Sequence, residues 1–319
     1  MHKKGYDMNR MLFLMLFFMI LANNKTMGQT PPPTANAAVN ATSLKILSWN
    51  IYMLPYVSLF NHNAGRAEVI ADKLEHSDYQ IIVFQEAFSS KCRNVLSKRL
   101  SKEYPYQYGP ANKCILPFRT SSGLWVISKI PLKQLDRIKF SISRGFDMIA
   151  RKGAVLFQGE YQGATFQLLT THLQADNSHL VREKQCSEIR EHLLNQYFNP
   201  NIPQLICGDF NIDMDDHDNY QSMLHTLGSK NGEITGEIKV TYDEIDNNLA
   251  RTIFGKKRVI DYILVRNEQW IDRIERKVQT FYARIGHTSS NLSDHYAMEA
   301  VIHFNEPALN HTVLLTAAK

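Results

Sequence analysis

Several features that would fix a small or specialised protein are scarce or missing. Four cysteines occur in 319 residues, Cys92, Cys114, Cys186 and Cys207, and their spacing matches no zinc site. They allow three disulfide pairings; Cys186, on an apolar helix face, and Cys207, in an apolar run, read equally well as buried thiols. There is no Gly-x-Ser-x-Gly elbow, P-loop or Walker lysine, which removes common routes to serine hydrolysis and nucleotide binding. No internal repeat breaks the chain into units. The apolar run Met11 to Ala22 is 12 residues long, short of the roughly 20 that cross a bilayer, and no later run could span one. Strong net charge is also missing. Of the net +5, residues 1–28 hold four basic and one acidic residue, or +3, which leaves +2 for the remainder. A nucleic-acid binder usually keeps a heavier basic footprint.

The first residues read as an export signal. Lys3, Lys4 and Arg10 precede the apolar run, and polar and small residues follow to Gly28. A leader over 1–28 predicts a secreted protein, extracellular or periplasmic; the alternative is an uncleaved anchor. Pro31, Pro32 and Pro33 open a linker over 29–43, since three consecutive prolines suit no regular element. One domain is expected over 44–305 and a tail over 306–319.

Within the domain, short apolar runs rich in β-branched residues read as strands: Leu44–Trp49, Ile81–Gln85, Gly123–Ser128, Ala154–Gln158, Phe166–His172, Gln204–Cys207, Val259–Val265 and Tyr296–His303. Ala67, Ile70, Ala71 and Leu74 recur at helical spacing, as do Cys186, Ile189, Leu193 and Tyr197. The chain is a mixed α/β protein, with one sheet or two left open by pattern.

The informative residues stand where apolar runs stop. Asn50 closes the first run; it suits a metal or a phosphate oxygen, or simply a turn. Glu86 follows Ile81-Ile82-Val83-Phe84-Gln85, where a carboxylate is costly unless paired, and a hard cation would pair it. The alternative is a solvated strand end. His172 ends another run, where a lone histidine is commonly structural. Asp209 and Asn211 follow Gly208; in an extended segment both would point to one side and grip a metal or water, and otherwise they form an Asx turn. The nearby Asp213, Asp215, Asp216 and Asp218 lack the Gly and Glu of a calcium loop and read as solvated. Asp261 lies inside an apolar run and needs a partner, such as a histidine to orient. Asp294 and His295 open the last run, and histidine is suited to proton transfer near neutral pH. Together these residues supply an amide, carboxylates and two imidazoles without a strong nucleophile, a set that fits metal-assisted attack of water on a phosphoryl group.

In this order the segments resemble the endonuclease/exonuclease/phosphatase (DNase I-like) superfamily. Trp49-Asn50-Ile51-Tyr52-Met53-Leu54-Pro55, Gly123 to Lys129, Thr171 to Ala175 and Ser293 to Tyr296 are similar to segments of bacterial neutral sphingomyelinases. The resemblance implies a four-layer α/β sandwich, two packed mixed β-sheets flanked by helices. It also implies hydrolysis of sphingomyelin, in membranes or micelles, to ceramide and phosphocholine. It assigns Mg²⁺ to Glu86, with Asn50 nearby and Asp209 assisting, and implies that Mn²⁺ or Co²⁺ can substitute. His295 would be the general base, oriented by Asp261 and adjoined by Asp294. His172 and Asn211 would stabilise phosphoryl charge, and the leaving-group proton would come from Asp209 or His172. A monomer with peripheral membrane contact and no nucleic-acid partner is implied.

Haemolytic relatives carry an apolar β-hairpin between the positions matching Tyr262 and Asp294. Here that stretch includes Trp270, Asp272, Arg273, Glu275, Arg276 and Lys277, so weak membrane insertion is expected. Phe88, Tyr52, Tyr56, Trp125 and Tyr296 are aromatic candidates for a choline head, or core residues. Rival readings are a secreted nuclease, an inositol-lipid phosphatase or phospholipase C served by Arg144, Arg151 and Lys152, and a non-enzymatic binder. A binder would have lost one of the catalytic positions, and all are filled.

Overall fold

Alternation of apolar residues decides how each strand is used. In β1 (Ser43–Asn50), Leu44 and Ile46 face one core while Leu47 and Trp49 face another. β2 (Ile81–Gln85) repeats the division, with Ile81 and Val83 on one side and Ile82 and Phe84 on the other. A sheet apolar on both faces must be covered twice. These are features of a computed structural model that describes residues 43–54, 62–113, 120–176, 178–285 and 288–305. The expected leader, the linker up to residue 42, Pro55, Tyr56, Cys114 and the tail lie outside the described residues.

Two mixed sheets form the body. With strands numbered along the chain, the larger runs β3 (Tyr106–Tyr108), β4 (Trp125–Ser128), β2, β1, β16 (Ala297–Phe304), β13 (Ile271–Gln279) and β9 (Ile234–Thr235). The smaller runs β12 (Asp261–Arg266), β8 (Gln204–Asp209), β7 (Ala164–His172), β6 (Gly153–Tyr161) and β5 (Leu132–Lys139). Inward residues of both sheets share one apolar cluster, which Val83 and Val126 enter from the first and Phe157 and Leu168 from the second. Helices α1 (Asn63–Glu75) and α2 (Ser90–Leu100) cover the other face of the larger sheet through Ile70, Leu74 and Leu96. Helices α3 (His179–Ile189) and α4 (His217–Leu227) join the shared cluster through Cys186, Ile189, Met223 and Leu227. The architecture is the expected pair of packed mixed sheets with flanking helices.

Each of the eight expected runs contains a strand. The ones that pattern did not reveal are edge or one-sided strands, whose exposed faces are polar. β5 reads LKQLDRIK and borders the smaller sheet; β13 reads IDRIERKVQ. The charged stretch around Asp272 to Lys277 lies in β13, a sheet strand paired to β16. The hairpin lies after it, β14 (Tyr282–Ile285) against β15 (Thr288–Asn291), and its turn at 286–287 lies outside the described residues. Two further short strands, β10 (Tyr242–Asp243) and β11 (Lys257–Arg258), pair separately. Cys92, Cys186 and Cys207 are free and buried, and burial pushes the Cys186 thiol up to about 12.

The strand register builds the site. β7 and β8 run parallel with His172 opposite Asp209, and β8 pairs antiparallel with β12 so that Asp209 also faces Asp261. Gly208 is needed for this approach, because a Cβ there would lie 2.1 Å from the Thr171 carbonyl oxygen. Gly208→Ala is therefore expected to lower stability by more than about 2 kcal/mol, by an overpacking mechanism. Urea unfolding checks it; an unchanged midpoint would show that the strands part without penalty.

Candidate active site

Each functional side chain sits at a strand end or in the turn after it. Asn50 ends β1, Glu86 follows β2, His172 ends β7, Asp209 ends β8, Asp261 begins β12, and Asp294 and His295 precede β16. Asn50, His172, Asp209, Asp261 and His295 are buried, whereas Glu86, Asn211 and Asp294 are partly exposed. The buried set forms a floor, and the partly exposed set is its opening.

One oxygen organises the floor. Asp209 Oδ2 accepts a hydrogen bond from Asn50 Nδ2 at 3.0 Å. His172 Nε2 lies 3.4 Å from the same oxygen and His295 Nε2 3.7 Å from it. The other ring nitrogen of His295 lies 2.9 Å from Asp261 Oδ2. Aspartate and histidine thus form an oriented pair with Nε2 aimed into the site. The Tyr242 ring stands edge-on to His295 at 4.8 Å, and Trp49 Nε1 donates to the His295 carbonyl at 3.1 Å.

Asp209 and Asn211 do not share one extended side. Asn211 has φ 52°, and its N–H donates to Asp209 Oδ1 at 2.9 Å, which is an Asx turn. The turn leaves Asp209 Oδ2 for the cluster, while Asn211 Nδ2 donates to the Leu173 carbonyl at 3.2 Å. Tyr52 and Glu86 share the left-handed backbone, with φ 49° and 54°. Non-glycine residues there carry strain of about 1 kcal/mol or more, and such strain gathers at functional sites.

Two site residues escaped the sequence reading. Lys152, weighed only for an inositol-lipid reading, is 3% exposed; its Nζ lies 3.0 Å from His172 Nε2 and donates to Asp147 Oδ2 at 2.8 Å and the Leu173 carbonyl at 2.9 Å. Its signal was a lysine abutting the apolar run Gly153 to Phe157. Arg66, equally buried, donates to the carbonyls of Ile51 at 3.0 Å and Leu292 at 2.8 Å, to Asn63 Oδ1 at 2.7 Å, and to the Tyr52 carbonyl. It ties the chain after Asn50 to the chain before Asp294. Its signal was its place with Asn63 on the apolar stripe of α1. Of the aromatic candidates, Trp125 stacks on Phe84 at 5.3 Å in the core and Tyr296 is buried, while Tyr52 and Phe88 stay partly exposed.

Crowded carboxylates set the electrostatics. Burial, then Asp294, pushes the Glu86 carboxyl up to about 7. Burial and Asp261 push Asp209 up to about 6, and burial raises Asp294. Burial opposes the His295 charge, but Asp261 and Asp209 outweigh it and hold that imidazole well above its ordinary value. His172 is held well below, by burial and by the neighbouring Lys152.

The donor chemistry fits a divalent cation. Glu86 Oε2 and Asp261 Oδ1 are buried and have no hydrogen-bond partner among the described residues. An unpaired buried carboxylate oxygen is expensive, and a hard cation satisfies both its charge and its lone pair. Ligand atoms of Asp209, Asp261 and His295 lie within 4.8 Å of one another, though Asp261 and His295 already engage each other. Glu86 shares an electrostatic neighbourhood with Asp209, Asp294 and His295.

The sign of the Glu86 shift gives a test on metal-free protein. Its carboxyl is raised above the value of 4.5 expected when unfolded. Between pH 4.5 and 7 the unfolded chain therefore binds fewer protons than the folded one, and stability falls as pH rises. Glu86→Gln removes this burden. The variant should match the parent below pH 4.5 and melt higher above pH 7, in thermal scans with EDTA. A variant melting lower at pH 8 would show that the carboxylate is well paired without a cation.

A sphingomyelinase C of Leptospira interrogans is 27% identical over 300 residues, covering 84% of this chain and 53% of the relative. The chain thus spans about half the length of that relative. A sphingomyelinase C of Bacillus cereus is 26% identical over 310 residues, covering 84% of this chain and 91% of the relative. A crystal structure of a doubly substituted beta toxin of Staphylococcus aureus, with bound magnesium ions, matches with a TM-score of 0.70 and 23% identity. It covers 81% of this chain and 99% of that one. The family model for the endonuclease/exonuclease/phosphatase family matches residues 47–295. That match runs from β1 to His295 and takes in the whole floor of the site, so the chain belongs to the endonuclease/exonuclease/phosphatase family.

Proposed function

We propose that this protein is a Mg²⁺-dependent phosphodiesterase that hydrolyses sphingomyelin to ceramide and phosphocholine. The observation that carries the chemistry is the Asp261–His295 pair, held at 2.9 Å with its free Nε2 3.7 Å from Asp209. The substrate is supported by the sphingomyelinase relatives, which match across most of this chain.

Glu86 and Asn50 are the residues that would hold the cation, with Asp209 beside them. Bound there, Mg²⁺ would supply positive charge to offset the negative charge developing on the phosphate and would satisfy the unpaired Glu86 oxygen. Magnesium bound in the beta toxin structure supports that choice. The remaining steps belong to the protein. Offset of the neighbouring carboxylate charge by that cation would lower the raised proton affinity of His295, so that its Nε2 takes a proton from water, whose oxygen forms the new bond to phosphorus. The imidazolium so formed is stabilised by Asp261. His172, kept neutral by burial and Lys152, serves as a hydrogen-bonding partner for the phosphoryl group, with Asn211. As the bond from phosphorus to the ceramide oxygen breaks, that oxygen takes a proton from Asp209, whose raised affinity for protons suits it to donate. The same reading includes export by the leader at 1–28, action as a monomer, peripheral contact with membranes, and substitution of Mg²⁺ by Mn²⁺ or Co²⁺.

The inositol-lipid reading is less well supported. It needs several basic side chains at one mouth. Lys152 is committed to His172, Asp147 and Leu173, and Arg151 lines a separate cavity between β4 and β6.

The purified chain is expected to release phosphocholine from sphingomyelin with Mg²⁺ and to stop with EDTA. His295→Ala should lower turnover by about 10² to 10⁴, the usual worth of a general base. Cleavage of plasmid DNA or an inositol phospholipid in the same assay, with sphingomyelin untouched, would overturn the substrate assignment.

A further inference from the structure

Among the described residues, five large apolar side chains are more than half exposed: Phe146 at 92%, Met148 at 61%, Leu180 at 66%, Ile253 at 93% and Phe254 at 91%. Scattered single residues of this kind are ordinary, but a group gathered at one place marks a contact surface. All five lie on three segments that leave the active-site floor.

The first segment is the single turn Gly145–Met148. Its Asp147 accepts hydrogen bonds from Lys152 and from the Ala175 N–H at 2.7 Å, while Arg144 and Gln174 exchange bonds at 2.9 and 3.0 Å. Phe146 and Met148 are thereby fixed beside the chain that follows His172. Leu180 is in the first turn of α3, which the Gln185 side chain ties to the Gln174 N–H at 2.9 Å. The third segment joins β10 to β11. Its base bridges Tyr242 to His295, and Asn247 donates to the carbonyls of Ser293 at 2.9 Å and Asp294 at 3.0 Å. Ile253 and Phe254 stand at its far turn, closed by the bond from Thr252 N–H to the Glu244 carbonyl at 3.1 Å. Internal bonds hold both loops, so their apolar tips are presented to solvent rather than folded inward.

The geometry points to these three segments as a docking surface for the interfacial layer of a lipid bilayer, with Phe146, Met148, Leu180, Ile253 and Phe254 entering it around the mouth of the site. The inference rests on the lipid-phosphodiesterase reading, which puts the scissile phosphate at headgroup depth. Separate apolar tips around a polar opening suit a flat, fluid surface. The exposed cations Arg144, Arg251 and Lys256 beside them suit lipid phosphates. This surface is distinct from the β14–β15 hairpin.

Phe146→Trp and Phe254→Trp, each in the full chain, place an emitter on the surface; Phe198→Trp, at a half-exposed position stacked under Arg266, is the control. Each is mixed in EDTA with vesicles of sphingomyelin and brominated phosphatidylcholine. Quenching at 146 and 254 at least about twofold beyond that at 198 is expected. Equal quenching at all three positions, or none, overturns the surface and leaves the loops to a protein partner. In a second arm, serine replaces Phe146, Met148, Ile253 and Phe254 together. Activity on sphingomyelin vesicles should fall at least about tenfold, as expected from removing large apolar groups from an interface, with a water-soluble short-chain sphingomyelin cleaved as before. An equal fall on both substrates would place the loops in substrate handling and overturn the proposal. If the parent cleaves neither substrate, the enzymatic reading fails, while the quenching still decides the surface.

Discussion

A single carboxylate oxygen, Asp209 Oδ2, holds the ends of the two sheets to one another. Asn50 reaches it from the larger sheet at 3.0 Å, and His172 and His295 approach it at 3.4 and 3.7 Å. Its position depends on Gly208, which allows β7 and β8 to meet closely enough for His172 and Asp209 to stand abreast. The next strand then brings Asp261 into the same row. Register thus sets His172, Asp209 and Asp261 in one row, and the turns after β2 and before β16 add Glu86, Asp294 and His295.

That arrangement stores an electrostatic conflict. Glu86, Asp209 and Asp294 cannot all be comfortably ionised where burial penalises charge, and one carboxylate oxygen each of Glu86 and Asp261 finds no partner among the described residues. The protein compensates with Lys152 under His172 and Arg66 behind Asp294. Both cations are spent on orientation, through Asp147 and Leu173 in one case and backbone carbonyls in the other. What remains is a deficit of positive charge at the partly exposed opening, which is where a divalent ion and a phosphoryl group would be accommodated together. The left-handed backbones of Tyr52, Glu86 and Asn211 are the local strain by which strand ends aim their side chains at this point.

Much of this was legible in the sequence because each site residue interrupts an apolar run, and such interruptions are costly without a reason. Asn50, Glu86, His172, Asp209, Asn211, Asp261, Asp294 and His295 all gather at one end of the molecule. Of the two geometries that the sequence leaves open for Asp209 and Asn211, the structure has the Asx turn, which rotates Asn211 out of the strand. Lys152 and Arg66 were hidden for a different reason. A lysine or arginine in sequence reads as solvent-facing, and only tertiary packing shows it buried. The strands β5 and β13 escaped because one-sided strands carry polar residues on half their length. The apolar tips at Phe146 and Phe254 were equally invisible, since exposure is not a property of sequence.

In the proposed reaction water, activated by His295, attacks phosphorus. Hydrolysis of sphingomyelin in ¹⁸O-enriched water, with mass analysis of both products, tests it most directly. One ¹⁸O in phosphocholine and none in ceramide is the expected outcome. Label in the ceramide hydroxyl would mean that a carbon–oxygen bond breaks instead, and would contradict the roles given to His295 and Asp209.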